Sequence, residues 1–197
     1  MINYDLEYIE ENFLKSKKDS VPFFIEKCFS DEVLPKWKEV IQVVYNSSVE
    51  EKDETLFLSG NSQEEEVLIN NLLIIDKTYF APQRRDLYKD FPILFEDIMS
   101  MSKKIQRGSD WGIGFAGPKF SVGPRLVAAH RDPWDAFTVQ CEGTTEWIIS
   151  NDDGYKKSFF MNRGDLLYFP KECYHSINVT QPRAGLIFNF DPDWYQK

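Results

Sequence analysis

The first forty-five residues alternate apolar and charged positions and predict a helix, a strand and a second helix. Residues 5–17 carry apolar side chains at helical spacing, as in a helix with one buried face. Residues 21–25 are predicted to form a short strand. A second helix is predicted beyond Ser30 or Asp31, either of which can cap it. Its apolar stripe comprises Val33, Trp37, Val40, Ile41 and Val44.

The middle of the chain is polar and acidic and predicts fewer regular elements. A short strand is expected at 55–58. The apolar run that follows suits a buried strand at 72–75, although its length and period also allow a helix. A clearer helix is predicted to start at the cap Asp90 and to end before Gly108, because one face is apolar throughout. That face contains Leu94, Phe95, Ile98 and Met101.

Beyond residue 108 the pattern changes to short aromatic and β-branched runs separated by Gly, Pro and Asn-Asp turns. About eight short strands with such punctuation are typical of a double-sheet jelly roll. We therefore predict a mostly β protein with N-terminal helices, in which residues 1–107 pack on a jelly-roll core formed by 108–197 within one domain. The strands are predicted at 111–115, 125–130, 136–141, 145–150, 156–161, 165–169, 176–179 and 184–189.

Composition narrows the class of protein. The chain has 197 residues, 42% of them hydrophobic, which is enough for one well-buried core. A net charge of −9 repels phosphates, so we expect neither duplex nucleic acid nor an anionic membrane as a partner. Three cysteines form no disulfide framework, and no apolar run approaches a membrane span. These features predict a soluble protein of the cytoplasm.

The chemistry-bearing residues centre on the only two histidines, His130 and His175. In an extended segment His130 and Asp132 point to the same face, and Pro133 favours that extended backbone. With His175 from another strand they form two imidazoles and one carboxylate, the donor set of non-heme Fe(II) sites.

Two other carboxylates could replace Asp132 in a shifted register. Asp135 and Glu146 both lie nearby in sequence, but parity with His130 favours Asp132.

Two stretches carry a resemblance to a known family. Gly164-Asp165, Phe169-Pro170 and His175 resemble the second cupin motif. The stretch from His130 to Trp147 resembles the JmjC-like branch of cupins, which includes ribosomal oxygenases and asparagine hydroxylases. In that branch an H-x-D, a strand with Phe, a Gln, a Gly turn and a Trp follow in this order. The resemblance covers roughly residues 108–195.

The resemblance implies an oxygenase. His130, Asp132 and His175 would bind Fe(II), with 2-oxoglutarate as cosubstrate and no catalytic residue beyond the metal ligands. The substrate would be a protein side chain or a small molecule.

One position departs from the family pattern. Thr145 stands where JmjC-like hydroxylases place a Lys or Arg that pairs with the far carboxylate of 2-oxoglutarate. Since a buried dicarboxylate needs a cation, Arg183 is our first substitute and Arg125 our second. Asn189 matches an Asn that the branch uses near the cosubstrate.

Two other functions stay open at this point. The first is a non-enzymatic cupin module that binds a partner or serves a structural role, favoured by the neutral Thr145. The second is a cupin metalloenzyme that does not use 2-oxoglutarate.

Overall fold

The computed structural model describes residues 1–40, 79–80, 91–107, 114–122, 127–178 and 183–191. The predicted strands at 55–58 and 72–75, the predicted cap Asp90, the end point Gly108 and the candidate Arg125 lie outside these residues.

The described part contains two helices and ten strands with both ends described, together with helical backbone at 37–40. The helices are α1 (Leu6–Asp19) and α2 (Pro92–Arg107). The strands are β1 (Phe23–Ile25), β2 (Tyr79–Phe80), β3 (Gly114–Val122), β4 (Val127–His130), β5 (Asp135–Glu142), β6 (Thr145–Ser150), β7 (Lys156–Met161), β8 (Leu166–Phe169), β9 (Tyr174–Asn178) and β10 (Ala184–Asp191).

The strands form two antiparallel sheets. The larger sheet has the order β1-β8-β5-β10-β3-β2 and the smaller one β4-β9-β6-β7. The chain crosses repeatedly between the sheets, since β4 and β6 belong to the smaller sheet while β5 between them belongs to the larger. This is the jelly-roll architecture that the strand pattern predicted, and the mostly β class with a helix near the N-terminus is confirmed.

β5 is buried on both faces, and the alternation of its side chains divides the core in two. Phe137 faces the helices, where its ring lies 6.1 Å from that of Phe13 in α1. Phe13 also meets Tyr168 of β8 edge-on at 5.0 Å. The neighbours Ala136 and Thr138 face the interior between the sheets, because successive strand residues point to opposite sides.

The interior between the two sheets holds the second apolar cluster. Phe24 of β1 reaches into it and lies 5.8 Å from Phe159 of β7, so the two sheets meet along these edge strands. The buried members are Ala136, Trp147, Ile149, Phe159, Met161, Leu167, Phe169, Cys173 and Ile177.

Most predicted strands agree with the structure to within about two residues, and β3 differs by more. β6 and β7 have the predicted bounds, whereas β9 starts two residues early because it pairs with β6 from Tyr174 onward. β3 begins at Gly114 and runs to Val122, beyond the predicted 111–115. Pairing with β10 overrides its poor strand propensity, and Pro118 falls at a register shift, where the ladder tolerates a missing N–H. The strand β2 was not predicted.

The predicted cap of the second helix is wrong. Residues 31–34 form a turn, and helical backbone begins at residue 37. Glu39 accepts a hydrogen bond from the Lys36 N–H at 2.8 Å, as an acidic residue in a first turn does for its cap. Pro35 disfavours helical backbone at the residue before it, so the helix cannot start where the sequence pattern placed it. None of the helices in the described ranges is long and apolar enough to span a membrane.

Candidate metal centre

His130 ends β4, and the orientation of Arg131 shows which way its neighbours point. The Arg131 guanidinium lies 5.0 Å from the exposed ring of Tyr174 and 3.4 Å from the Glu172 carboxylate, both on the outer side. Because successive side chains alternate in extended backbone, His130 and Asp132 share the opposite side. The parity argument for Asp132 therefore holds in the structure.

His175 lies directly opposite His130 in the register between β4 and β9. The two imidazole centroids are 4.2 Å apart, and His175 Nε2 lies 3.9 Å from Asp132 Oδ2. One donor atom from each residue falls within 4.8 Å of the others. The structure thus brings together all three predicted metal ligands.

Neighbouring groups fix the orientation of the His175 ring. Its Nδ1 lies 3.2 Å from the Cys173 carbonyl oxygen. A carbonyl oxygen only accepts, so Nδ1 donates this hydrogen bond and Nε2 is the ring nitrogen that faces Asp132. Trp147 stacks on the ring at 6.0 Å and Phe169 lies 4.6 Å away. The ring is 4% exposed and held in place.

This donor set fits a divalent first-row metal. Two imidazoles and one carboxylate suit Fe(II) and leave several coordination positions for other ligands. The single carboxylate offsets half of the charge of a divalent ion, so an anionic cosubstrate would complete the balance. The cluster consists of an exposed His130, a partly exposed Asp132 and a buried His175, which opens it to solvent on one side.

Strand registers divide the interior into a metal end and a far end. The metal end contains Ala136, Ile149 and His175. The far end contains Gln140, Thr145 and Gly185. Thr138, Trp147 and Ile177 lie between them.

Thr145 is buried at the far end and forms a polar network there. Its hydroxyl donates to Gln140 Oε1 at 2.9 Å. Gln140 Nε2 in turn donates to the Glu142 carbonyl oxygen at 2.6 Å and reaches the carbonyl oxygens of Gly143 and Ala184. This residue therefore contributes a hydroxyl and no charge.

Arg183 places a cation inside the barrel at the far end. The residue is 1% exposed and immediately precedes β10. Its Nη1 lies 3.7 Å from where a Cβ on Gly185 would stand, and Thr138 Oγ1 lies 3.6 Å from the same point. The guanidinium therefore lies on the interior face of β10, near Gly185 and Thr138. Burial lowers the pKa of Arg183 to about 10, so the group remains charged at neutral pH.

Asn189 and Asp135 are two further candidates, on the neighbouring strands β10 and β5. Asn189 lies in β10 with its backbone opposite Ala136, at the metal end. Asp135 faces the helix side, where its carboxylate accepts the Lys171 N–H at 2.8 Å. It is not a member of the metal cluster, which consists of His130, Asp132 and His175.

Glu146 lies on the outer face of β6, where its carboxylate accepts a hydrogen bond from Asn178 at 3.0 Å. This hydrogen bond lowers the pKa of Glu146 below its usual range. The alternative ligand sets based on Asp135 or Glu146 are therefore not those that the structure assembles among its described residues.

Sequence reasoning missed the interior positions of Gly185 and Thr138. A signal for Thr138 was present, because Thr138 and Gln140 alternate with Phe137, Val139 and Cys141 along one predicted strand. Such alternation places the two polar residues on one face. No local signal marks Gly185.

Comparisons with solved structures show the fold. A prolyl-4-hydroxylase from Pseudomonas putida is 11% identical with a TM-score of 0.61, covering 94% of this chain and 98% of its own. A prolyl hydroxylase from Trichoplax adhaerens, solved with a hypoxia inducible factor peptide fragment, is 11% identical with a TM-score of 0.63, covering 95% and 91%.

The ribosomal oxygenase YcfD from Escherichia coli is 13% identical with a TM-score of 0.57, over 97% of this chain. The chain spans about half of that protein, 52% of its length. No protein-family model matches the sequence, and no curated protein matches it significantly. The predicted resemblance to JmjC-like cupin oxygenases is confirmed at the level of the fold.

Proposed function

We propose that this protein is an Fe(II)- and 2-oxoglutarate-dependent oxygenase that hydroxylates a protein side chain or a small molecule. In this reaction a C–H bond of the substrate becomes C–OH, while 2-oxoglutarate and O2 are converted to succinate and CO2. The observation that carries the proposal is a charged arginine buried in the same barrel interior as the His-Asp-His cluster.

His130, Asp132 and His175 would hold the metal. Fe(II) in this position would supply the redox chemistry that a hydroxylation needs and that no amino-acid side chain provides. The protein contributes a fixed His175 ring, a carboxylate and an aromatic wall formed by Trp147 and Phe169. These groups orient the site and limit access of water.

Arg183 would bind the far carboxylate of 2-oxoglutarate. From His175 at the metal end, three residues of β9 rise by about 10 Å toward the far end. A small dicarboxylate lying along this axis would have one end near the metal and the other near the guanidinium. A planar guanidinium can donate two parallel hydrogen bonds to a carboxylate.

The neutral residue at 145 is consistent with this arrangement. The Thr145 hydroxyl belongs to a buried network with Gln140, so β6 contributes no charge at this level. The cation comes instead from Arg183 beside β10, on the facing sheet. Thr138 Oγ1, on the same interior face, is a further donor within reach of a carboxylate.

The proposed acceptor substrate is a protein side chain or a small molecule. The similar prolyl hydroxylase from Trichoplax adhaerens was solved with a peptide fragment, which supports a protein side chain as one class of acceptor. The exposed edge of His130 faces the open side of the cluster, where such a group would approach.

The proposal is tested by anaerobic titration of the Fe(II)-loaded protein with 2-oxoglutarate. We expect a weak visible metal-to-ligand charge-transfer band that grows and saturates. Iron binding without this band would leave a metalloenzyme that does not use 2-oxoglutarate. Absence of iron binding would leave the non-enzymatic module.

The role of Arg183 has a sharper test in Arg183→Met, which keeps an unbranched apolar side chain and removes the charge. We expect an affinity for 2-oxoglutarate about 100-fold lower, since a buried charge-assisted pair is lost. The matched ligand is 2-oxobutyrate, which chelates a metal in the same way and lacks the far carboxylate. Its affinity should not change. Equal losses for both ligands would contradict the assignment of Arg183 to the far carboxylate.

A further inference from the structure

We propose that Asp135 is a positioning residue that sets the separation between Asp132 and His175. The proposal rests on the metal site described under the proposed function. Asp135 would hold the loops 131–134 and 170–173 at a fixed distance, without contacting the metal or the substrate.

Two connections between the sheets run side by side at the metal end. Residues 131–134 lead from β4 in the smaller sheet to β5 in the larger, and they contain Asp132. Residues 170–173 lead back from β8 in the larger sheet to β9 in the smaller, two residues before His175. The position of one ligand relative to the other depends on how these connections are joined.

Two hydrogen bonds join the connections. The Glu172 N–H donates to the Asp132 carbonyl oxygen at 2.9 Å. The preceding Lys171 N–H donates to Asp135 Oδ1 at 2.8 Å. Consecutive amides of one connection thus bond to Asp132 within the other connection and to Asp135 just after it, which fixes the distance between the two connections.

The backbone at Glu172 indicates that this junction is held against a local preference. Its φ is 64°, in the left-handed region that non-glycine residues rarely adopt. Such a conformation persists where surrounding contacts determine it, and it is common at functional sites. The Glu172 N–H bond to Asp132 and the turn bond from the Cys173 N–H to the Pro170 carbonyl oxygen at 3.4 Å lie on either side of the Glu172 Cα and hold this conformation.

The surroundings of Asp135 make a purely structural role costly. Asp135 is 2% exposed and Tyr168, on the same helix-facing side, is fully buried. The pKa of the Tyr168 phenol is raised, first by burial and then by the negative charge of Asp135. A carboxylate in such surroundings costs free energy that an apolar residue would not. Its bond to the Lys171 N–H at 2.8 Å and its interaction with the Tyr168 hydroxyl offset part of that cost.

Asp165 offers a matched control at the far end. It is also 2% exposed, and it accepts the backbone N–H groups of Lys27 at 2.8 Å and Asn162 at 2.7 Å. It therefore has the same burial and the same kind of partner as Asp135, at a turn that carries no metal ligand.

The test is a titration of the metal-free protein with Co(II), which reports on the three ligands through visible absorption without any turnover. We expect Asp135→Ala to bind Co(II) about tenfold or more weakly, as loss of supporting hydrogen bonds around a metal site typically does. Asp135→Asn retains an oxygen that can accept the Lys171 N–H and should recover most of the affinity. Asp165→Ala should lower stability and leave Co(II) affinity unchanged.

Amide hydrogen exchange of the metal-free protein provides a second measurement. In Asp135→Ala the Lys171 and Glu172 amides should exchange faster, while the amides of Lys27 and Asn162 should not. If Asp135→Ala does not fold, Asp135→Leu fills the space without an acceptor and should give the same result.

Wild-type Co(II) affinity in folded Asp135→Ala or Asp135→Leu would overturn this inference and leave the proposed function intact. Equal weakening by Asp165→Ala would also overturn it, because the effect would then be one of general stability. If the wild-type protein itself binds no metal, the proposed function and the inference both fail.

Discussion

The metal end and the far end of the barrel use polar groups in opposite ways. At the metal end, donor atoms of three side chains converge within 4.8 Å, and one of the three residues is exposed. At the far end, Arg163 donates to the carbonyl oxygens of Leu34 at 2.9 Å and Pro35 at 2.8 Å. It also pairs with the Glu142 carboxylate at 3.1 Å.

Backbone hydrogen bonds are also dense at the far end. The turn that carries Gly164 and Asp165 is tied to β5, because Gly164 donates to the Gln140 carbonyl oxygen and Gln140 donates to that of Asp165. Gly164 also accepts the Phe29 N–H at 3.0 Å. The far end thus satisfies backbone groups that would be costly to bury unpaired.

The two ends therefore differ in what most of their polar side chains contact, which is one another around the proposed metal at one end and main-chain groups at the other. Side chains whose donor atoms point at one another do little for folding, whereas side chains that satisfy main-chain groups stabilise it. Substitutions of metal ligands and of residues that support the main chain should therefore affect different measurements.

The largest effect is expected from His130→Ala at the metal end. Removing one of three ligands should lower Co(II) affinity by more than about 100-fold, beyond what the loss of a supporting hydrogen bond costs. Because the side chain is exposed, the free energy of unfolding should change by less than about 0.5 kcal/mol. Isothermal titration and urea unfolding measure the two quantities. Unchanged metal affinity would refute the ligand assignment.

At the far end, Gly164→Ala should lower the free energy of unfolding and leave metal affinity unchanged. Gly164 has a φ of 91°, and a Cβ there would lie 2.7 Å from the Phe29 carbonyl oxygen. The clash and the left-handed backbone together should lower the free energy of unfolding by about 2–4 kcal/mol, with Co(II) affinity of the folded protein retained.

Gly154→Ala is the matched control for this change. Gly154 has a similar φ of 86°, but no atom lies within 4 Å of its added Cβ. We expect Gly154→Ala to lower the free energy of unfolding by about 1–2 kcal/mol, which is the cost of a non-glycine residue at positive φ without a steric clash. A Gly164→Ala loss no larger than that of Gly154→Ala would show that the close approach to Phe29 is unimportant.

The smallest effect concerns pH and the buried thiol of Cys141. Burial raises the pKa of Cys141 to about 12, so the folded protein keeps the thiol neutral. The resulting stabilisation is fully present below the pKa of an unfolded thiol, about 8.5, and is lost as pH rises toward 12.

Between pH 8 and pH 10, the wild-type protein should therefore lose about 1–2 kcal/mol more stability than Cys141→Ala. Urea unfolding of both proteins at the two pH values measures the difference. Because only the change with pH is compared, the packing cost of the substitution cancels. Parallel losses in the two proteins would contradict a raised pKa at this position.

Local patterns were sufficient for most strands of the barrel, although not for β2 or the full length of β3. The hairpin between β6 and β7 follows from two runs of six residues around Asn-Asp-Asp-Gly, where Gly154 adopts positive φ. The second helix was misplaced because Pro35 and the Arg163 contacts hold residues 31–35 out of helical backbone. The Arg163 contacts are long-range and could not be read locally.

The metal cluster was determined by the sequence to an unusual degree. His130 and Asp132 share a face because side chains alternate in extended backbone, which is a local rule. With only two histidines in the chain, His175 was the remaining choice for an imidazole donor. The structure adds that the two rings face each other across paired strands.

Only the tertiary structure decided where the interior charge comes from. The sequence has Thr145 at the position where a cation was expected, and nothing local distinguishes Arg183 from a turn residue. Arg183 lies inside the barrel because β10, which it precedes, pairs with β5, more than forty residues earlier in the chain. Strand order and close packing depend on contacts between distant segments, so these features emerge only when the chain folds.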